Sequence, residues 1–423
     1  MKKRLQPIIV IVLGLMLTGG AQAQTTPQKQ QPPASPGGPA KPLAPDQLHT
    51  AAEQLMQADK YAEAIPLCRQ ALARNARDIQ AHVDLGLCLQ NLKRTDESIT
   101  EFRAALAVNP NPLVYEYLAG ALLEVHRWQE ARTAYQRASE MIPGDPQPHL
   151  AIGETYLREG YYPAAIAAIT DALGIAPTSP DVHAALGAAY EQAEDHEAAL
   201  KEYDAALALN PHLSSALLGR AVTLAGLKRH DEAQALMKEI VAHNPKDADA
   251  LGTFAIVLDS AHRYEDAIAQ YRLALQLNQR DGTLWGNLGW SQYGAGRYTE
   301  ALDSSGKALA IDSKLAYVRY NIGLINAVLD RWPQARKEYD AAISAGNLAD
   351  LRSGIHDVEN AIARSPGNPA LKQALDYLTD AQWSGEVSAS SAPTPDPSPK
   401  NRGGGMAPTP DPSPKNGGGG TGQ

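Results

Sequence analysis

Apolar and polar positions alternate in a helical rhythm along most of the chain. In "AALGAAYEQAEDHEAALKEYDAALALNP", which starts at Ala184, Leu186 and Tyr190 stand four apart. Leu200, Tyr203 and Leu207 follow at intervals of three and four. That spacing places each set on one face of a helix, so the stretch predicts two helices separated by a short polar turn. The stretch "LWGNLGWSQYGAGRYTEALDSSGKALAID", from Leu284 to Asp312, has the same layout.

Aligning the chain on Gly289 recovers this layout nine times, with a period of 34 residues in every step but one, which is 33. The first key position holds Ala52, Gly86, Ala119, Gly153, Gly187, Ala221, Ala255, Gly289 and Gly323. Twelve residues on stand Ala64, Ser98, Ala131, Ala165, Ala199, Ala233, Ala267, Ala301 and Ala335. Seven further come Ala71, Ala105, Ala138, Ala172, Ala206, Ile240, Ala274, Ala308 and Ala342. Of these 27 places 26 carry Gly, Ala or Ser. Alanine richness alone would not hold that register, and small residues there let neighbouring helices approach closely.

The pattern resembles the tetratricopeptide repeat family over roughly residues 45–347. Pro110, Pro143, Pro177, Pro211 and Pro245 supply the family's closing proline. Ala76, Gln279, Ser313 and Asn347 stand there in the other units. The resemblance implies an all-α fold, an α-solenoid in which about nine helix-turn-helix units coil into a right-handed superhelix. One helix pair cannot hide both of its apolar faces, so stacked pairs share a continuous core and the last one needs a cap. Residues 348–382 read as capping helices: Leu351, Ile355, Val358 and Ile362 share one face, and Leu371, Leu375 and Leu378 another. Gln373 and Asp376 lie opposite, with Lys372 on the flank.

The termini differ in composition. Lys2, Lys3 and Arg4 precede the mainly apolar run "PIIVIVLGLMLTG", and Ala21-Gln22-Ala23 offers small residues for cleavage, so residues 1–23 read as a signal peptide. The run is short for a membrane span, which takes roughly 20 residues. The expectation is therefore an exported chain, periplasmic or secreted, without stable membrane insertion after signal cleavage; an uncleaved anchor is the competing reading. Residues 24–44 are rich in Pro and Gln and read as a disordered linker. In the Pro/Gly-rich tail, 383–423, "APTPDPSPKNRGGG" recurs as "APTPDPSPKNGGGG". That near-identity fits recent DNA duplication better than two binding motifs.

The formal charge is −9, and it becomes −12 once Lys2, Lys3 and Arg4 are removed, since 1–23 contain no acid. With no long basic run, a nucleic-acid partner is not expected. The 11 histidines do not form a metal motif. His126, His196, His230 and His262 fall in or beside the turns of separate units, and His82, His149 and His183 take the place of Trp285, where packing explains them. Glu197 with Lys201, and Arg336 with Asp340, have the spacing of pairs on a solvated face. The sequence contains no phosphate-binding glycine loop and no nucleophile motif. The repeats and tails consume the chain, so neither an enzyme nor a cofactor nor a metal site is expected. Cys68 and Cys88 belong to helices expected to be neighbours. They are either a disulfide or two buried thiols packed as small apolar residues.

In this family the first helices of the units line a concave groove, so the resemblance implies a protein or peptide partner lying against them. Units eight and nine place Asn287, Trp290, Tyr293, Tyr317, Tyr320 and Asn321 there, aromatics for contact area and amides for a peptide backbone. The competing reading is that Asn287, Asn321 and Tyr293 are consensus packing residues. Gly286 and Trp290 replace a Lys and an Asn of the family's carboxylate clamp, so binding of a chaperone tail is not expected. Taken together, a protein-interaction scaffold or adaptor in the cell envelope is expected. The alternative is a groove that binds glycan or another small ligand.

Overall fold

The computed structural model describes residues 44–345 and 348–390, and among them every regular element is an α-helix. The expected signal peptide, almost all of the linker and the duplicated tail lie outside the described residues. Nine hairpins follow one another, each with an A and a B helix. Units one to three comprise α1 (Pro45–Gln57) and α2 (Tyr61–Arg74), α3 (Ile79–Asn91) and α4 (Thr95–Val108), then α5 (Pro112–Glu124) and α6 (Trp128–Met141). Units four to six are α7 (Gln147–Glu159) and α8 (Tyr162–Ile175), α9 (Pro180–Gln192) and α10 (His196–Leu209), then α11 (Ser214–Gly226) and α12 (His230–His243). Units seven to nine are α13 (Ala248–Ser260) and α14 (Tyr264–Leu277), α15 (Gly282–Gly294) and α16 (Tyr298–Ile311), then α17 (Ala316–Val328) and α18 (Trp332–Ala345). A final pair, α19 (Leu348–Arg364) and α20 (Pro369–Ser390), closes the stack. The last helix thus runs past residue 382, where the sequence led us to expect the tail to begin.

The period has a local cause. Residues Asp78, Asn111, Ser179, Asp247 and Asp281 cap A helices by accepting backbone N–H bonds through their side chains. Between A and B, one residue per unit is left-handed: Asp59, Lys93, His126, Gly160, Glu194, Lys228, His262, Gly296 and Asp330. The following N–H reaches back five residues, as Arg94 N does to Leu89 O at 2.8 Å, and so closes the helix end. Glycine holds this place in two units, as Gly160 and Gly296. In the other seven units non-glycine residues adopt the same conformation, at φ from 56° to 62°. The single 33-residue step falls in a linker: Asn109–Asn111 is one residue shorter than 75–78 or 210–213.

The small positions behave as packing demands. Ala64, Ser98, Ala131, Ala165, Ala199, Ala233, Ala267, Ala301 and Ala335 are all 0% exposed, so the second key position lies wholly inside every unit. Each A helix packs on its own B helix, and each B helix on the next A helix. Ile240, the one large residue in the register, is only partly buried.

The end of the stack breaks this order. Helix α20 packs against both α17 and α18, as the A helix of another unit would. Leu371 and Leu378 are buried, while Lys372, Gln373 and Asp376 face outward. Arg336 and Asp340 pair with the cap as well as sharing a face: Tyr377 of α20 donates to Asp340 and lies 5.5 Å from the Arg336 guanidinium. Helix α19, in contrast, lies on the A helix α17.

Candidate partner-binding face

The six residues singled out in units eight and nine do not stand open. Asn287, Tyr293, Tyr320 and Asn321 are buried, and Trp290 and Tyr317 are half-buried. Trp290, Tyr293 and Tyr320 do come together in one apolar cluster. Trp290 and Tyr293 have ring centroids 5.3 Å apart, and Tyr320 lies 6.3 Å from Tyr339. Tyr317 belongs instead to the contact between α15 and α17, where its hydroxyl faces Gly286. Burial raises the Tyr317 and Tyr320 hydroxyls well above the ordinary tyrosine range, and pushes Tyr293 up to about 12.

The cover is α19. Gly354 sits on Tyr320, and Leu351 and Val358 are buried in the same cluster. Trp290 and Tyr293 form one wall, and Asp357, Asn360 and Arg364 the other, of a cavity of about 50 Å³. That is room for water, not for a peptide side chain. Burial pushes the Asp357 carboxyl up to about 7, with Arg364 opposing the shift.

Near the other end the A helices carry acids and an exposed leucine instead. Leu113, two residues into α5, is 51% exposed. Glu116 and Glu154 occupy the places of Tyr320 and Trp290 and are half-buried, and Glu53 and Glu124 are exposed. Burial raises the Glu116 carboxyl, with Asp145 adding to the shift.

Two polar arrangements escaped the sequence reading. The place held by Trp285 is a tether to the preceding linker. His82 Nε2 meets Ala76 O at 3.1 Å, and His183 Nε2 meets Pro177 O at 3.2 Å. Trp285 Nε1 donates to Gln279 O at 3.1 Å, and Arg319 to Ser313 O at 3.5 Å. The histidines also bind the B helix, His82 to Glu101 at 2.7 Å and His183 to Glu202 at 2.8 Å. Their shared repeat position was visible, but not the carbonyl six residues back. Acids of one A helix also accept hydroxyls of the next. Thr223 donates to Glu191 at 2.5 Å, and Ser291 to Asp259 at 2.7 Å.

Cys68 and Cys88 meet in the core of the first two units as free thiols. The Cys68 thiol is raised by its hydrogen bond to Cys88 and by burial.

Comparison with known proteins agrees with this geometry. The family profile described as "Tetratricopeptide repeat" matches residues 55–121 and 122–189, and "Psidin, N-terminal TPR repeats region" matches 185–301. The matches are contiguous and cover more than half of the chain. It is a tetratricopeptide repeat (TPR) protein.

A crystal structure of a TPR protein from Parabacteroides merdae is 13% identical, covering 59% of this chain and 98% of that one, with a TM-score of 0.50. This likeness is one of fold. YrrB, described as a TPR protein with an unusual peptide-binding site, is 22% identical over 40% of this chain and 89% of that one. Its TM-score is 0.35, too loose to carry its site across. An uncharacterized protein of Aquifex aeolicus is 38% identical over 74 residues, 18% of this TPR chain, which spans only 10% of that relative. The TPR fold is in general a scaffold for protein–protein interaction. Among the described residues no helix is long and apolar enough to cross a membrane.

Proposed function

We propose that this TPR protein is a non-catalytic scaffold of the bacterial cell envelope, and that it receives a peptide or protein partner on the A-helix face of its N-terminal units. The observation that carries the reading is the contrast between equivalent positions. Where unit nine has Tyr320 buried under α19, unit three has a half-buried Glu116, with Leu113 and Glu124 exposed on the same helix. Exposed apolar area beside acids suits a partner with apolar and basic side chains. The envelope location rests on Lys2, Lys3, Arg4, the apolar run and Ala21-Gln22-Ala23.

A photocrosslinking residue at Leu113, Glu116 or Glu154 should capture partner proteins in intact cells. The same residue at Arg137 or Lys201, on B helices, should not. Capture from the B positions alone would overturn the A-face placement, and binding to a glycan array that depends on the A face, without protein capture, would overturn the scaffold reading. N-terminal sequencing of the mature chain tests export, with Gln24 expected first.

A further inference from the structure

A cleft of about 450 Å³ lies between the B helices of units seven and eight, α14 and α16, with α15 packed against both. That volume is in the range of small-molecule sites. Two departures from the repeat mark it. Units two, five and nine set Glu101, Glu202 and Glu338 against His82, His183 and Arg319, at 2.7, 2.8 and 3.1 Å. Unit eight has Ser304 in the acid's place, a short side chain that leaves the space beside Trp285 unfilled. The second departure is Gln292. Its register position is a fully buried leucine in four other units, as Leu89, Leu122, Leu224 and Leu258. Gln292 is 3% exposed and lines the cleft; its Nε2 reaches Glu300 only at 3.5 Å, and its Oε1 is buried with no hydrogen-bond partner. Asn326, at the same place in unit nine, instead satisfies itself by donating to Ile322 O at 2.9 Å. Retaining an unsatisfied amide where leucine fits costs stability, which a ligand donor would restore.

The rest of the lining narrows the ligand. Arg272 and Lys307 face Glu300 and Asp303, so the formal charges cancel, and they are already paired, at 3.3 Å and 2.8 Å. An ionic ligand would have to break those pairs. Leu275, Leu288 and Trp285 supply apolar surface. Lys307 rests 4.6 Å from the Trp285 ring centroid, and as an exposed side chain it can swing aside at little cost. We propose that this cleft binds a neutral saccharide. A pyranose has C–H faces for the indole and leucines, and hydroxyls that donate to Gln292 Oε1 and bridge the planar amide and carboxylate groups around it. The site lies between B helices of other units than the proposed partner face, so either can fail without the other.

The test is saturation-transfer NMR of the full chain with a panel of neutral mono- and disaccharides, from glucose to di-N-acetylchitobiose, with adenosine beside them. At least one sugar should bind with a Kd of about 1 mM or tighter and shift the indole N–H signal of Trp285. Gln292→Leu and Ser304→Glu each restore what other units carry. Both should therefore keep the wild-type helix content by circular dichroism while weakening that sugar at least about tenfold. Silence across the sugars would overturn the proposal, as would affinity unchanged in either folded variant. Binding of adenosine without any sugar would overturn the ligand class.

Discussion

The ring of Tyr203 in α10 lies so close to Gly219 in α11 that a Cβ built on the glycine would stand 2.3 Å from Tyr203 Cζ. Tyr203 is almost wholly buried, so the ring has no free space to retreat into. Gly219→Ala should destabilise the protein by about 1–3 kcal/mol through overpacking, after the roughly 1 kcal/mol that alanine gains in helix propensity. Urea unfolding followed at 222 nm measures this. An unchanged midpoint would mean that the ring moves freely.

The left-handed turn positions offer the opposite effect. Lys93, Lys228 and Asp330 hold φ of 61°, 62° and 56°, and none has the freedom of the glycines at Gly160 and Gly296. Each change to glycine should stabilise by about 0.5–1 kcal/mol, and Gly296→Ala should cost about 1 kcal/mol. The three gains should add, because the turns lie in separate units. Thermal unfolding of the single and triple variants is the check.

Asp259 gives the protein a pH dependence. Burial pushes its carboxyl up to about 8, although Ser291 and Tyr271 donate to it. The folded protein keeps a proton that the unfolded chain releases near pH 4, so stability falls as pH rises from about 4 to about 8. Asp357, raised to about 7, slopes the same way. Asp259→Asn keeps the acceptor for Ser291 and removes the charge. It should raise stability at pH 8 by roughly 1–3 kcal/mol and change it little at pH 4. Equal effects at both pH values would assign the gain to something other than ionisation.

Cys68 and Cys88, buried thiols with the first held well above its ordinary range, should resist modification in the folded state. Alkylation by iodoacetamide should run at least about a hundredfold slower than in denaturant, where both react. Chain isolated from an oxidising compartment that shows no thiol even when unfolded would mean that the pair had closed.

The architecture was readable because its cause is repetitive. A side chain larger than serine at Ala199 or Ala267 would hold two helices apart, and nine such places leave a signal that no single helix could. The binding face was harder to read. Leu351, Ile355, Val358 and Ile362 correctly mark an apolar stripe on α19, but a stripe has the same spacing whether it extends a stack or folds back onto one. Trp290 and Tyr320 therefore looked like open contact residues, although the chain itself covers them. The tethers of His82 and His183 were hidden for another reason: their acceptors are main-chain carbonyls, which leave no trace in residue identity.

The side-chain amide of Asn368 donates to Ala327 O at 3.1 Å and to Val328 O at 3.1 Å, closing the C-terminal end of α17 from a point 40 and 41 residues downstream. During synthesis, each earlier hairpin can settle on the one before it as soon as it leaves the ribosome. The ninth must wait until the chain beyond Asn368 has emerged, so a message truncated shortly before that codon would yield a product whose final hairpin stays frayed and open to proteases.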